Sequence, residues 1–248
     1  MKGLVVGLAN DQSIAWGCVQ AFHALGAEQA ITYLNDKTRG YIAPLVAAVN
    51  TPIFLPLDVT QPAQMDTLFD AIAARWGKLD FLLHSIAFAP KQDLQGRLLD
   101  SSARGFAEAM DISCHSLIRL AQRAEPLMRE GGSILTMSYY GAEKVVDHYN
   151  LMGPVKAALE CAVRYLAKEL GPQGIRVNAL SPGPVKTRAA SGLSHFDALM
   201  EKAAQTAPLH QLVSIEQIGK AAAFLVSNDA KHITGQTLYI DNGYNTLG

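Results

Sequence analysis

Cysteine is scarce: Cys18, Cys114 and Cys161 are the three in 248 residues, odd in number and far apart, so no disulfide framework is expected. No CxxC pair occurs, and the seven histidines show no ligand spacing, so no metal site is expected. All three cysteines lie among apolar helical neighbours and read as small core residues in a reducing compartment. Charge of one sign is lacking too. Lys plus Arg number 21 against 22 Asp plus Glu, a net charge of −1 with the signs interspersed. That removes the electrostatic case for nucleic acid or an anionic membrane. No apolar run reaches membrane-spanning length before a charge breaks it. A secretory leader is not expected either, since Met1-Lys2 runs into Gly3-Leu4-Val5-Val6, too short for an apolar signal core. A cytoplasmic protein follows. Linkers, low-complexity tracts and short repeats are also missing, which leaves one domain over 1–248.

What is present is an alternation. Short apolar runs at Leu4–Val6, Ala30–Tyr33, Ile53–Leu57, Phe81–His84, Ile134–Met137, Val177–Leu180 and Thr237–Ile240 lack polar alternation, as strands covered on both faces do. Between them lie segments of helical period: Ile14–Leu25, Thr38–Ala48, Ala63–Arg75, Gly105–Leu127, Met152–Leu170 and Ile215–Val226. The last opens with Ser214 and Gln217 in capping-box spacing. Strand, helix, strand repeated this way predicts an α/β fold, a Rossmann-type doubly wound parallel sheet of about seven strands flanked by helices. Residues 187–212 break the rhythm with a small helical pattern around Phe196–Ala204. An insertion at the carboxyl edge of a parallel sheet is where a substrate lid sits. Trp16, Phe22 and Phe224 read as core.

The first strand ends at Gly7, and Leu8 through Gly17 lead into a helix. A dinucleotide turn uses glycines so that backbone can approach a pyrophosphate at a helix N-terminus. The middle glycine is missing here. Ser13 stands at the helix start, either offering its hydroxyl to phosphate or serving as a plain N-cap. Gly17 would let the helix pack close to the strand. Asp36, after the second strand, is placed either to hold ribose hydroxyls or as a solvated loop charge. No arginine stands there for a 2′-phosphate, which favours NADH over NADPH, although Lys37 could reach such a phosphate. Asp58-Val59 follows the third strand, where a carboxylate accepts from an adenine amino group or caps the next helix.

Tyr149, Met152 and Lys156 follow the fifth strand at i, i+3 and i+7, one face of a helix spanning about 10.5 Å along its axis. That is too far for contact between the two polar heads, but one ribose could bridge them. Pro154 is tolerated if the helix starts near Asn150. Tyrosine and lysine at this spacing resemble the enoyl-[acyl-carrier-protein] reductases, a divergent branch of the short-chain dehydrogenase/reductase family. The resemblance runs nearly the whole chain: Gly7–Gly17, His84–Pro90, Ser138–Glu143, Tyr149–Lys156, Arg176–Ala179, Ser181–Thr187, Ile233–Gln236 and Asp241–Gly243.

The resemblance implies NADH-dependent reduction of the trans-2 double bond of an enoyl thioester in type II fatty-acid synthesis. It implies that Tyr139, Tyr149 and Lys156 are catalytic. It places Gly7, Ser13, Ile14, Leu34, Asp58, Val59, Ser85, Ile86, Ala87, Lys156, Gly183, Pro184, Val185, Thr187 and Ala189 against the cofactor. Ala89, Tyr139, Tyr149, Met152 and Ala190 would face the substrate. A homotetramer is implied as well. Two departures stand out: Leu34 replaces a polar residue found in many relatives, and the lid lacks their basic cluster, with Lys202 its nearest permanent positive charge. The carrier is therefore acyl carrier protein or coenzyme A. A carbonyl reductase would use the same tyrosine and lysine, and a non-catalytic dinucleotide-sensing protein is a third reading. His84 closes a strand near the site but lacks a visible base–orienter pair, so it reads as structural.

Overall fold

The computed structural model describes residues 1–187 and 196–247. The apolar runs form seven strands: β1 (Lys2–Val6), β2 (Glu28–Tyr33), β3 (Ile53–Pro56), β4 (Phe81–His84), β5 (Gly132–Met137), β6 (Ile175–Pro182) and β7 (Thr237–Ile240). They pair in parallel in the order β3-β2-β1-β4-β5-β6-β7. The order reverses between β1 and β4, where Val6 lies opposite His84. In open α/β sheets a ligand crevice forms outside the strand ends at that reversal. Each predicted strand is present, and all carboxyl ends lie on one edge.

Helices cover both faces: α1 (Ile14–Ala24), α2 (Asp36–Ala48), α3 (Pro62–Trp76), the short α4 (Lys91–Leu94), α5 (Ala103–Met110), α6 (Ser116–Ala124), α7 (Met152–Leu170), α8 (Phe196–Thr206) and α9 (Ile215–Val226). Local chemistry sets their ends. Asn35 caps α2 by accepting from Thr38 N at 3.0 Å. Gly77 stops α3 in the left-handed region. The capping box of α9 forms, Ser214 and Gln217 each binding the other's backbone N–H. One core joins Leu4, Leu82 and Ile134 to Met65, Leu117 and Leu159 from α3, α6 and α7; a second joins Val5, Ile31 and Leu135 to Phe22, Ile42 and Ile218 from α1, α2 and α9. Each such side chain contributes about 1.5–3 kcal/mol by leaving water.

Four expectations change. Gly17 packs against α9, not against a strand: a Cβ there would lie 2.0 Å from Ile215 O, and one on Gly219 would lie 2.1 Å from Gly17 O. The helix expected over 105–127 is interrupted by a π-helical turn at Asp111–His115. There Ser113 turns inward and Ser116 Oγ donates back to Ile112 O at 2.6 Å, side-chain bonds that compete with the helical ladder. Cys161 is exposed on α7 while Cys18 and Cys114 are buried, and all three are free. Phe224 is exposed on α9, whereas Phe22 is core. Among the described residues no helix is long and apolar enough to cross a membrane.

Candidate active site

The turn after β1 is built by backbone. Gly7 has φ +104°, and a Cβ there would lie 2.0 Å from Ser85 O, so only glycine lets the ends of β1 and β4 meet. Ser85 N donates to Val6 O at 2.9 Å. Ser13 occupies the N-cap position of α1, but its hydroxyl does not cap the helix. It accepts from Ala9 N and Asn10 N at 3.2 and 3.0 Å and donates to Asn10 Oδ1 at 3.0 Å. The hydroxyl thus shapes the turn, and the first-turn amides of α1 have no side-chain acceptor. Ile14 begins that turn, packed on the second core.

The other strand ends supply the rest of the groove. Leu34 is 58 % exposed after β2. Asp36 is an exposed first-turn residue of α2. Lys37 and Tyr41 line an open pocket of about 240 Å³ with Ala9 and Asn10. Arg39, which spacing alone did not single out, lies over the Tyr33 ring at 5.9 Å. Asp58 Oδ1 accepts from Thr60 N and Oγ1 at 2.9 and 2.7 Å, closing the turn ahead of α3, whose N-cap position is Gln61. Val59 is buried in the first core, its carbonyl held by Arg119 Nη2 at 3.0 Å. After β4, Ile86 packs on the first core, while Ala87 is exposed. After β6, Gly183 N donates to Ile240 O at 2.9 Å, Pro184 is buried, and Thr187 N donates to Val185 O at 2.8 Å. Ala189 and Ala190 lie outside the described residues.

The chemistry gathers between β5 and α7. A third apolar cluster joins Tyr149 and Met152 to Ala89, Tyr139, Leu94 and Val155. The Tyr139 and Tyr149 rings lie 4.8 Å apart at 59°. Tyr149 is not on the helix, as its spacing suggested. It sits in the turn before α7, between His148 at φ +64° and Asn150 at φ +41°. Asn150 Nδ2 ties that turn to Leu94 O at 3.1 Å. Gly141 leaves room for the phenol, since a Cβ there would meet Tyr149 Cδ1 at 2.5 Å.

Burial, and after it the neighbouring Tyr139 and the Glu160 carboxylate, pushes the Tyr149 phenol up and keeps it protonated. Burial also raises Tyr139, whose hydroxyl is buried without a hydrogen-bond partner. Lys156 is buried and donates to Met137 O at 2.6 Å. Burial pulls it down to about 8, opposed by Cys114 and Glu160. His84 is fully buried between Thr136 Oγ1 and Ser116 Oγ, each at 2.8 Å. Burial, with Lys156 nearby, lowers it to about 3, so it is neutral and structural.

Besides Arg39, two groups were missed from sequence. Ser113 Oγ accepts from Phe88 N and donates to Phe88 O, both at 2.8 Å, fixing the loop that carries Ala89. Glu160 is buried and accepts from Ser138 Oγ. Both looked like ordinary helical polar residues, and no local signal marks them. A metal-binding group is absent among the described residues.

A parallel sheet whose order reverses beside a glycine turn, with a tyrosine and a buried lysine at its carboxyl edge, defines the short-chain dehydrogenase/reductase class. The family model described as enoyl-(acyl carrier protein) reductase matches residues 7–245. The enoyl-[acyl-carrier-protein] reductase [NADH] 1 of Rhizobium meliloti (strain 1021) is 47 % identical over 247 residues, covering 100 % of this chain and 91 % of the relative. The enoyl-[acyl-carrier-protein] reductase [NADH] FabI of Nostoc sp. (strain PCC 7120) is 48 % identical over 250 residues, covering 100 % of this chain and 97 % of the relative. The crystal structure of the Anaplasma phagocytophilum reductase in complex with NAD superposes with a TM-score of 0.96 at 46 % identity, covering 100 % and 94 %. The chain belongs to the enoyl-(acyl carrier protein) reductase family.

Proposed function

We propose that the chain reduces the trans-2 double bond of an enoyl thioester on acyl carrier protein, with NADH as reductant, in type II fatty-acid synthesis. The observation that carries this reading is the third apolar cluster, which sets Tyr149, Tyr139, Met152 and Ala89 together at the carboxyl edge beside buried Lys156. The residues present fit a dinucleotide. Gly7 brings backbone close at the strand reversal, the first-turn amides of α1 are uncapped, and Lys156 spends one of three ammonium donors on Met137 O. The groove residues named from Gly7 to Thr187 would line the nucleotide.

What NADH supplies when bound is a hydride for the β-carbon. Tyr149, held protonated by burial, donates to the thioester oxygen as negative charge develops there. Lys156 turns its remaining donors to the ribose and adds positive potential beside the developing oxyanion. Tyr139 presents an unpartnered hydroxyl and a ring face to the acyl chain. A proton delivered to the α-carbon, from the Tyr149 phenol or from water, completes the reduction. Residues 187–212 act as the lid: Ala203 of α8 and Ala207 just after it pack on Tyr244 and Tyr140, next to Tyr139. Ala189 and Ala190 join the site by family resemblance. Free cysteines are consistent with a cytoplasmic setting, and the assembly proposed is a homotetramer.

NADH oxidation followed separately with crotonyl and acetoacetyl thioesters tests the reading. Turnover of the enoyl substrate is expected; turnover of the keto substrate alone would make the protein a carbonyl reductase, and none with either would favour a sensing role.

A further inference from the structure

Three consecutive residues at the end of β5 each hold one polar or aromatic group of the α7 segment. Met137 O takes the Lys156 ammonium at 2.6 Å. Ser138 Oγ donates to Glu160. The Tyr139 ring lies against Tyr149 at 4.8 Å. The tripeptide is anchored from behind, since Ser138 N donates to Leu180 O at 2.7 Å across to β6. Lys156 and Glu160 are one helical turn apart on the same face, and both are buried. A carboxylate seldom stays inside a protein without a partner or a task. The Ser138 hydroxyl alone does not explain a charge there, because a neutral amide would accept the same bond.

We infer that Glu160 is a positioning residue for the reduction, a buried counter-charge that keeps the Lys156 ammonium charged and, through Ser138, fixes the strand end on which Lys156 and Tyr149 are seated. This rests on the roles proposed above for Tyr149 and Lys156. The charged and titratable groups around the pair are few. Lys156 faces His84 from β4, Cys114 from the π-helical turn and Glu160 from its own helix. Glu160 faces Ser138 just after β5, Glu143 from the β5–α7 connection, Arg164 one turn on in α7 and Thr237 from β7, and its field reaches Tyr149 and Tyr239. Burial pushes the Glu160 carboxyl above its usual range, opposed by the hydrogen bond from Ser138 and by Arg164 and Thr237; above that raised value Glu160 is the anion on the Lys156 side, since His84 is neutral and Cys114 is held as the thiol by burial. Glu160 raises the affinity of Lys156 for its proton against the pull of burial. Without it the ammonium loses its proton at lower pH.

The test is the pH profile of kcat/KM for NADH between pH 5 and 9.5, with full-length protein and crotonyl thioester. For Glu160→Gln the basic limb is expected to move down by about one pH unit from about 8, giving about a fivefold loss at pH 8, about tenfold at pH 9.5 and little at pH 6.5. Glu160→Asp, which restores the charge, should return the limb toward its original place. A merely structural role would lower the profile evenly at every pH, and an unmoved limb would overturn the inference. If Glu160→Gln does not fold, Ser138→Ala carries the test. The serine hydroxyl lowers the Glu160 proton affinity, so its loss should move the acid limb to higher pH; an unmoved acid limb would count against the inference in the same way. Tyr149→Phe and Lys156→Ala run alongside. Full activity in both means that the underlying reading has failed, whereas their expected losses with unmoved limbs in the Glu160 and Ser138 variants mean that only this inference has.

Discussion

Burial acts in opposite senses on the two polar heads of the site. It favours the neutral form of each, so the Tyr149 phenol keeps its proton while the Lys156 ammonium is drawn toward losing one. The proposed mechanism wants a donor from the first and a charge from the second, so their loss should read differently. Tyr149→Phe is expected to lower kcat about 10²–10³-fold, the usual effect of deleting one oxyanion donor, with NADH affinity by fluorescence titration nearly unchanged. Lys156→Ala should instead weaken NADH binding in the same titration; wild-type affinity would remove the lysine from the nucleotide site. His84 has a consequence for stability. Its folded form resists protonation down to about 3, while an unfolded histidine takes a proton near 6.5. Between those values the unfolded chain binds the extra proton, so this contribution to stability is intact above pH 6.5 and falls as pH falls. At pH 5 the loss is about 2 kcal/mol. Urea midpoints at pH 7 and 5 should therefore differ less in His84→Gln than in wild type, and equal differences would show that the imidazole is not the cause. At this scale the sequence was half legible. Tyr149 and Lys156 stood out by type and spacing. Glu160 and Ser113 did not, because what distinguishes them is a partner 22 or 25 residues away, reached only by folding.

Elements were more legible than their interruptions. Strands buried on both faces write themselves as apolar runs, so all seven could be placed from sequence, and α7 begins at Met152 as its pattern indicated. The π-helical turn at Asp111–His115 was not legible, since Ser113 leaves the helical ladder for Phe88 and nothing in the local spacing shows that choice. The turn holding Tyr149 was hidden for a related reason. Its side chain has helical spacing from Lys156, but the flanking left-handed residues, His148 and Asn150, are not glycine. The crossing of α1 and α9 gives the sharpest test of an element contact. Gly17 and Gly219 meet backbone to backbone, and α1 is the helix whose N-terminus faces the phosphate turn. Gly219→Ala should lower unfolding free energy by about 1–3 kcal/mol, the range for overpacking, measured by urea denaturation. It should also weaken NADH binding, because α1 must shift. A stable variant with normal affinity would show that the two helices have slack.

At the scale of the whole molecule, α7 is a helix with two occupied faces. Its inner face carries Lys156 and Glu160, and its outer face leaves Cys161 and Tyr165 exposed. The neighbouring α5 and α6 leave Phe106 and Ile118 partly bare. Scattered apolar residues are ordinary on a monomer, so exposure alone does not specify assembly. Three adjoining helices that each turn apolar atoms outward are the surface that the proposed tetramer would cover. Sedimentation velocity should then give four times the chain mass of 26.6 kDa. Ile118→Lys with Tyr165→Lys should yield smaller species whose far-ultraviolet circular dichroism is unchanged, since neither side chain belongs to a core cluster. If the outer face of α7 steadies the inner one, these dissociated species should show raised KM for NADH while still folded. A wild-type chain that sediments as a single subunit would reject the tetramer, and a dissociated variant with unaltered kinetics would show that α7 holds its inner face without help from a neighbour.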